Sequence, residues 1–126
     1  MQNITQTILI ADIDDATRLS LSISLVREGY KVETAQFGSE VIQKVQNVGI
    51  DVVIMDVELS GMKGYEIIPI LKKIDPKLPI NMMSSDSSLE LAKKVREKEI
   101  FFYAIKPLDF KEMKLAVQAA FKKIGK

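Results

Sequence analysis

The chain has 126 residues, 47% of them hydrophobic and 28% charged, with a net charge of +1. That is enough for one domain with its own core, and too balanced for a field that gathers nucleic acid or a membrane surface. Cysteine and histidine are both absent, which excludes disulfides, thiolate chemistry, imidazole bases and the usual zinc ligands, so any metal must be held by oxygen. No apolar stretch approaches the ~20 residues that cross a bilayer. The start, Met1-Gln2-Asn3-Ile4-Thr5, has neither the basic opening nor the apolar centre of a signal peptide, so a cytoplasmic protein is expected.

Strand and helix patterns then alternate five times with short connections, which predicts a single α/β domain over residues 1–126. The first strand, Thr7–Ala11, leads to a helix from near Asp15 to Glu28. That helix is expected to bury Ala16, Leu19, Ile23 and Val26 on one face and to stop at Gly29. Lys31–Ala35 is the second strand, and a second helix starts near Ser39 with Val41, Val45 and Val48 at helical spacing. The third strand, Asp51–Met55, is followed by a loop over Val57–Lys63 and a helix over Tyr65–Ile74. Pro76 and Pro79 mark the turn into a fourth strand at Ile80–Met83, and a helix follows at about Ser88–Lys98. The fifth strand, Phe101–Ile105, precedes a helix capped by Asp109 and running to Lys123, with Met113, Val117, Ala120 and Phe121 inward. The basic end, Lys122-Lys123-Ile124-Gly125-Lys126, reads as a frayed solvated tail.

Four of the five strands stop at a single polar residue of a different kind: Asp12, Asp56, Ser84 and Lys106. Buried parallel strands share one rim at their carboxyl ends, where open α/β sheets place their sites. Two carboxylates, a hydroxyl and an ammonium on one rim suit a hard divalent cation and a phosphoryl group. In a sheet of order 2-1-3-4-5 the first and third strands are neighbours, so Asp12 and Asp56 meet. A divalent ion or a lysine between them relieves the like charge, and Mg²⁺ matches an all-oxygen donor set. Lys106, followed by Pro107, is placed to pair with the carboxylates and to neutralise a phosphoryl group. The loop Asp12-Ile13-Asp14-Asp15 is acidic and has no glycine, which argues against a dinucleotide or P-loop site. Gly61 and Gly64 serve the turn into the third helix.

From about Thr7 to Lys123 the sequence resembles the receiver domain of two-component response regulators, the CheY-like fold. Ile8-Leu9-Ile10-Ala11-Asp12 resembles the family's first strand, and Arg27-Glu28-Gly29-Tyr30-Lys31-Val32 its turn into the second. Val53-Ile54-Met55-Asp56-Val57-Glu58-Leu59-Ser60-Gly61-Met62-Lys63-Gly64 is close to the phosphoacceptor loop, with Ser60 where proline is usual. Pro79-Ile80-Asn81-Met82-Met83-Ser84-Ser85 and Tyr103-Ala104-Ile105-Lys106-Pro107-Leu108 match the segments that carry the switch hydroxyl, the aromatic and the lysine. The resemblance implies a flavodoxin-like, doubly wound (βα)5 three-layer sandwich with a five-stranded parallel sheet.

It also implies roles. Asp56 would accept a phosphoryl group from a histidine kinase or phosphotransfer protein. Asp12, Asp56 and the main-chain carbonyl of Glu58 would hold Mg²⁺. Lys106 and Ser84 would contact the phosphate. Ser84 and Tyr103 would switch the surface formed by the fourth helix, fifth strand and fifth helix toward a downstream effector. The expected chain is no enzyme beyond self-phosphorylation and autodephosphorylation, contacts neither nucleic acid nor membrane directly, and is a monomer or a weak phosphorylation-dependent dimer. Two departures stand out. Ile13 occupies the place of a second acidic residue that is commonly a metal ligand, with Asp14 one residue on as the substitute. Lys98-Glu99-Ile100 replaces the usual Gly-Ala turn. Weak metal affinity follows from the first.

Two other readings use the same residues. A pseudo-receiver would keep the fold as a binding module without efficient phosphorylation, as Ile13 suggests. A haloacid-dehalogenase-like phosphatase would use Asp12-Ile13-Asp14 as its nucleophile motif, but the acidic motif expected after Lys106 has only Asp109 and Glu112, at a helix start.

Overall fold

The computed structural model describes residues 5–126; the reading of the first four residues lies outside them. In chain order the elements are β1 (Thr7–Ala11), α1 (Asp15–Arg27), β2 (Lys31–Ala35), α2 (Gly38–Asn47), β3 (Val52–Asp56), β4 (Glu58–Leu59), β5 (Met62–Lys63), α3 (Gly64–Ile74), β6 (Ile80–Ser84), α4 (Leu89–Arg96), β7 (Phe102–Ile105) and α5 (Phe110–Lys123). Five strands form one parallel sheet, ordered β2-β1-β3-β6-β7. This is the expected 2-1-3-4-5 order once the small β4–β5 hairpin is set aside.

The strands are apolar on both faces because helices cover both. Leu9, Ala11, Val53, Met55, Ile80 and Met82 face one layer with Val41, Ile67, Leu71 and Val95. Ile8, Ile10, Val52, Ile54 and Met83 face the other with Leu21, Leu25, Met113, Val117 and Phe121. Parallel register aligns Ala11 with Met55, and Ser84 with Ile105, so the residues that follow these strands emerge along a single edge. Helix starts are fixed by side-chain caps: Asp14, Ser88 and Asp109 each accept main-chain N–H bonds from the first turn of α1, α4 and α5.

Four features depart from the sequence reading. First, α1 turns a different side inward: Leu21 and Leu25 are buried, whereas Ala16, Leu19, Ile23 and Val26 are exposed, Leu19 at 62%. Apolar residues lie on two sides of this helix, so spacing alone fits either side. The cap at Asp14, with β1 feeding directly into the first turn, sets its rotation about the axis. Second, the loop after β3 contains a hairpin, Glu58 opposite Lys63 and Leu59 opposite Met62, closed by Gly61 at φ +90°. Third, Asp56 closes β3 rather than following it. Fourth, the basic end is anchored. The Lys126 ammonium lies 2.6 Å from an Asp51 carboxylate oxygen, and the Gln6 side chain donates to the Lys126 carbonyl. The Lys106–Pro107 peptide is cis.

Asn81 is fully buried at the centre of β6, on the face it shares with Met83. Its Nδ2 makes a long 3.4 Å bond to the Val53 carbonyl, and its Oδ1 has no partner. An unpartnered buried oxygen costs stability that a similarly shaped apolar side chain does not. Asn81→Leu is therefore expected to raise the urea midpoint, by about 1 kcal/mol of unfolding free energy. A lowered midpoint would show that this side chain is better satisfied than its neighbours indicate.

Candidate phosphoryl-accepting site

The site lies where β1, β3 and β7 end. Asp12 and Asp56 are 2% and 6% exposed, so neither carboxylate has bulk water to carry its charge. Each has other partners instead. Asp12 Oδ1 accepts from the Asp14 amide at 2.9 Å, and Asp56 Oδ1 accepts from the Glu58 amide at 2.8 Å. The Lys106 ammonium, reaching in from the end of β7, lies 2.6 Å from Oδ2 of both. One cation thus holds two buried anions, and residues far apart in sequence converge on it.

Gly64 backs this arrangement. Its amide donates to the Val57 carbonyl at 2.7 Å, and a Cβ there would run into the main-chain oxygen of Asp56. Beyond its turn role, glycine is required by this close approach. On the other side, Arg18 reaches back from α1 to the carbonyls of Asp12 and Ile13 and pairs with Asp15. Nothing in the spacing singled out Arg18; its one signal is a cation early in the first helix, close behind an acidic loop.

The remaining expected residues are placed differently. Asp14 is the N-cap of α1: its Oδ2 accepts from the Thr17 amide at 3.1 Å and the Thr17 hydroxyl at 2.6 Å. Those Thr17 bonds hold its carboxyl below the usual 3.8. Ser84 is fully buried and its hydroxyl is engaged with Asp86, accepting from the amide at 2.9 Å and donating to the carbonyl at 3.2 Å. Its neighbour Ser85 lines the open cavity of about 480 Å³ over Asp12, Asp56 and Lys106, and Ile13 sits at its mouth. Tyr103 packs its ring against the core, with the Arg96 guanidinium 5.7 Å from the ring centre, and its buried hydroxyl has no partner.

Chemically, the pocket offers hard oxygen donors and one ammonium. Two carboxylates with the adjacent Glu58 main-chain carbonyl fit Mg²⁺, which keeps several waters and takes few protein ligands. The same rim then accommodates an anionic, tetrahedral group beside Lys106.

A family model for the response regulator receiver domain matches residues 8–118. The chain belongs to that family. It is 39% identical over 114 residues to the DNA-binding transcriptional regulator NtrC of Azospirillum brasilense, covering 90% of this chain and 24% of that protein. It is 31% identical over 114 residues to the transcriptional regulatory protein ZraR of Escherichia coli K12, covering 90% and 26%. The chain thus spans about a quarter of the length of these curated relatives. The crystal structure of a CheY-like receiver domain protein from Methanospirillum hungatei superposes with a TM-score of 0.89 at 25% identity, over 97% of this chain and 98% of the other. The beryllofluoride-activated NtrC4 receiver domain dimer does so with 0.87 at 25%, over 93% and 97%. This receiver domain is accordingly a two-component signalling module, of a family that works with kinases and effectors and binds Mg²⁺ in an acidic pocket. It is not a classical enzyme. Among the described residues no helix is long and apolar enough to cross a membrane.

Burial pushes the Asp56 carboxyl above its ordinary 3.8, against the pull of Lys106 and of the Glu58 amide. Burial draws the Lys106 ammonium down, and its bonds to Asp12 and Asp56 more than offset this, leaving it above 10.5. Between 3.8 and the raised value the folded chain holds a proton on Asp56 that the unfolded chain has released. Stability from this group is therefore present below 3.8 and lost as pH rises through the folded value. Asp56→Asn is expected to be more stable than the parent at neutral pH, with the difference closing below 3.8. Urea unfolding across a pH series checks this; a difference independent of pH would contradict it.

Proposed function

We propose that Asp56 is the phosphoacceptor, and that residues 1–126 act as one receiver unit taking a phosphoryl group from a phosphohistidine on a kinase or phosphotransfer protein. The observation that carries the reading is the Lys106 ammonium 2.6 Å from both Asp12 and Asp56 on one rim of the sheet. A carboxylate oxygen of Asp56 attacks phosphorus, the phosphorus–nitrogen bond breaks in line, and the donor imidazole leaves. The Glu58 amide steadies the other Asp56 oxygen, and Lys106 exchanges a carboxylate partner for a phosphoryl oxygen. Asp12, Asp56 and the Glu58 carbonyl would hold Mg²⁺, which when bound neutralises charge building on the transferred group.

The readout follows from the new charge. Ser84 gives up its bonds to Asp86 and turns its hydroxyl toward the phosphoryl group. That moves the loop between β6 and α4, and with it the surface of α4, β7 and α5, where Tyr103 is held between Arg96 and the core. The chain answers to a downstream effector protein or domain, in the cytoplasm, as a monomer or a weak dimer formed on phosphorylation. The NtrC4 receiver was solved as a beryllofluoride-activated dimer, which supports the latter. Only self-phosphorylation and autodephosphorylation at Asp56 are catalysed.

A second reading has its own observation. Ile13 brings no ligand and Asp14 is turned to its helix cap, so a pseudo-receiver that binds partners without efficient phosphorylation also fits. The two separate in one experiment. With acetyl phosphate and Mg²⁺, intact-mass analysis is expected to show one phosphoryl group on the parent chain and none on Asp56→Asn. Lys106→Ala is expected to slow the reaction about a hundredfold. Beryllofluoride with Mg²⁺ should shift amide resonances around Ser84 and Tyr103. No mass gain and no shift would leave the pseudo-receiver.

A further inference from the structure

We infer that the side-chain carboxylate of Glu58 is the third acidic group of the divalent-cation site, supplying what position 13 does not. This rests on the reading of Asp12 and Asp56 as cation ligands and adds a residue to it. At the centre of the pocket the two candidate ligands share one cation: the Lys106 ammonium lies 2.6 Å from each carboxylate. Oxygen sites hold divalent ions by the number of charged ligands they gather. With Lys106 offsetting one of those two charges, a further carboxylate brought into direct contact would strengthen the hold on a dication most.

Three further acidic side chains border the cavity: Asp14, Asp15 and Glu58. Asp14 is committed to the Thr17 amide and hydroxyl, and withdrawing it would cost α1 its cap, about 1 kcal/mol. Asp15 is paired with Arg18, which also grips the carbonyls of Asp12 and Ile13, so freeing it would loosen the loop that aims Asp12. Glu58 has neither commitment. Its amide is bonded to Asp56 Oδ1 at 2.8 Å, which seats its backbone beside the phosphoacceptor. Its carboxylate meets Lys63 at 2.6 and 2.7 Å across the hairpin, and both side chains are exposed. An exposed pair of this kind contributes ~0–1 kcal/mol and gives way cheaply.

Among the described residues no three acidic groups stand together in a metal-holding arrangement. The cation therefore completes the site by drawing Glu58 off Lys63, a side-chain rotation that leaves the hairpin backbone in place. The hairpin then has a purpose beyond turning the chain: it keeps a carboxylate in reserve at the rim, parked on a lysine.

Mg²⁺ titration of the purified chain, followed by amide resonances and by calorimetry, tests this without any phosphoryl transfer. Glu58→Gln is expected to weaken Mg²⁺ binding about tenfold. Asp14→Asn, which preserves a helix cap, should bind as the parent does. Adding Ile13→Asp to Glu58→Gln should restore affinity, and Lys63→Met alone should tighten it. Parent-like binding by Glu58→Gln, alongside binding lost in Asp56→Asn, would overturn the role of Glu58 and leave the phosphoacceptor reading standing. Parent-like binding by both Asp12→Asn and Asp56→Asn would remove the cation site itself.

Discussion

One ammonium between two buried carboxylates organises this molecule. Asp12 and Asp56 are taken out of water by the sheet that carries them, and like charges this near each other are tolerated only with a cation between them. Lys106 meets that need at 2.6 Å from each. Removing the ammonium is costly, because both carboxylates then stay buried and unpaired. The strand ends of β1, β3 and β7 are thereby tied at the rim as well as by their ladders. The arrangement that charges the pocket also steadies the sheet's edge.

The tie explains how a small chemical event can be felt elsewhere. A phosphoryl group on Asp56 would compete for Lys106 with Asp12, and the redistribution of one positive charge then falls on loops rather than on the sheet. Those loops are held by few bonds. The Ser84 hydroxyl is engaged with Asp86, and the Glu58 carboxylate with an exposed lysine. The core on both faces of the sheet, from Leu9 to Val95 and from Ile8 to Phe121, has no such slack.

Most of this was legible in the sequence, for a physical reason. Strands buried on both faces are continuous apolar runs, so the residue that ends each run declares itself, and parallel order places those ends together. Asp12, Asp56 and Lys106 were readable on that basis alone. What escaped was whatever a second contact decides. The inward face of α1 depended on rotation about the helix axis, and Leu19 and Leu21 carry the same label in a periodicity count. The β4–β5 hairpin is two residues a side, too short to alternate visibly. The Lys126–Asp51 pair joins residues 75 positions apart, which no local pattern encodes. Ser84 was legible as a strand end, but the engagement of its hydroxyl with Asp86 belongs to the loop that follows.

The glycine that opens α3 has a meaning beyond its turn. With the Asp56 carbonyl pressed against the space a side chain would fill, and the Val57 carbonyl bonded to the Gly64 amide, the peptide of Asp56 is wedged against the first turn of α3. It has no room to shift toward that helix. This loop is therefore pinned to glycine at both ends of the hairpin for different reasons, at its tip by the positive φ of Gly61 and at its root by the space denied to Gly64.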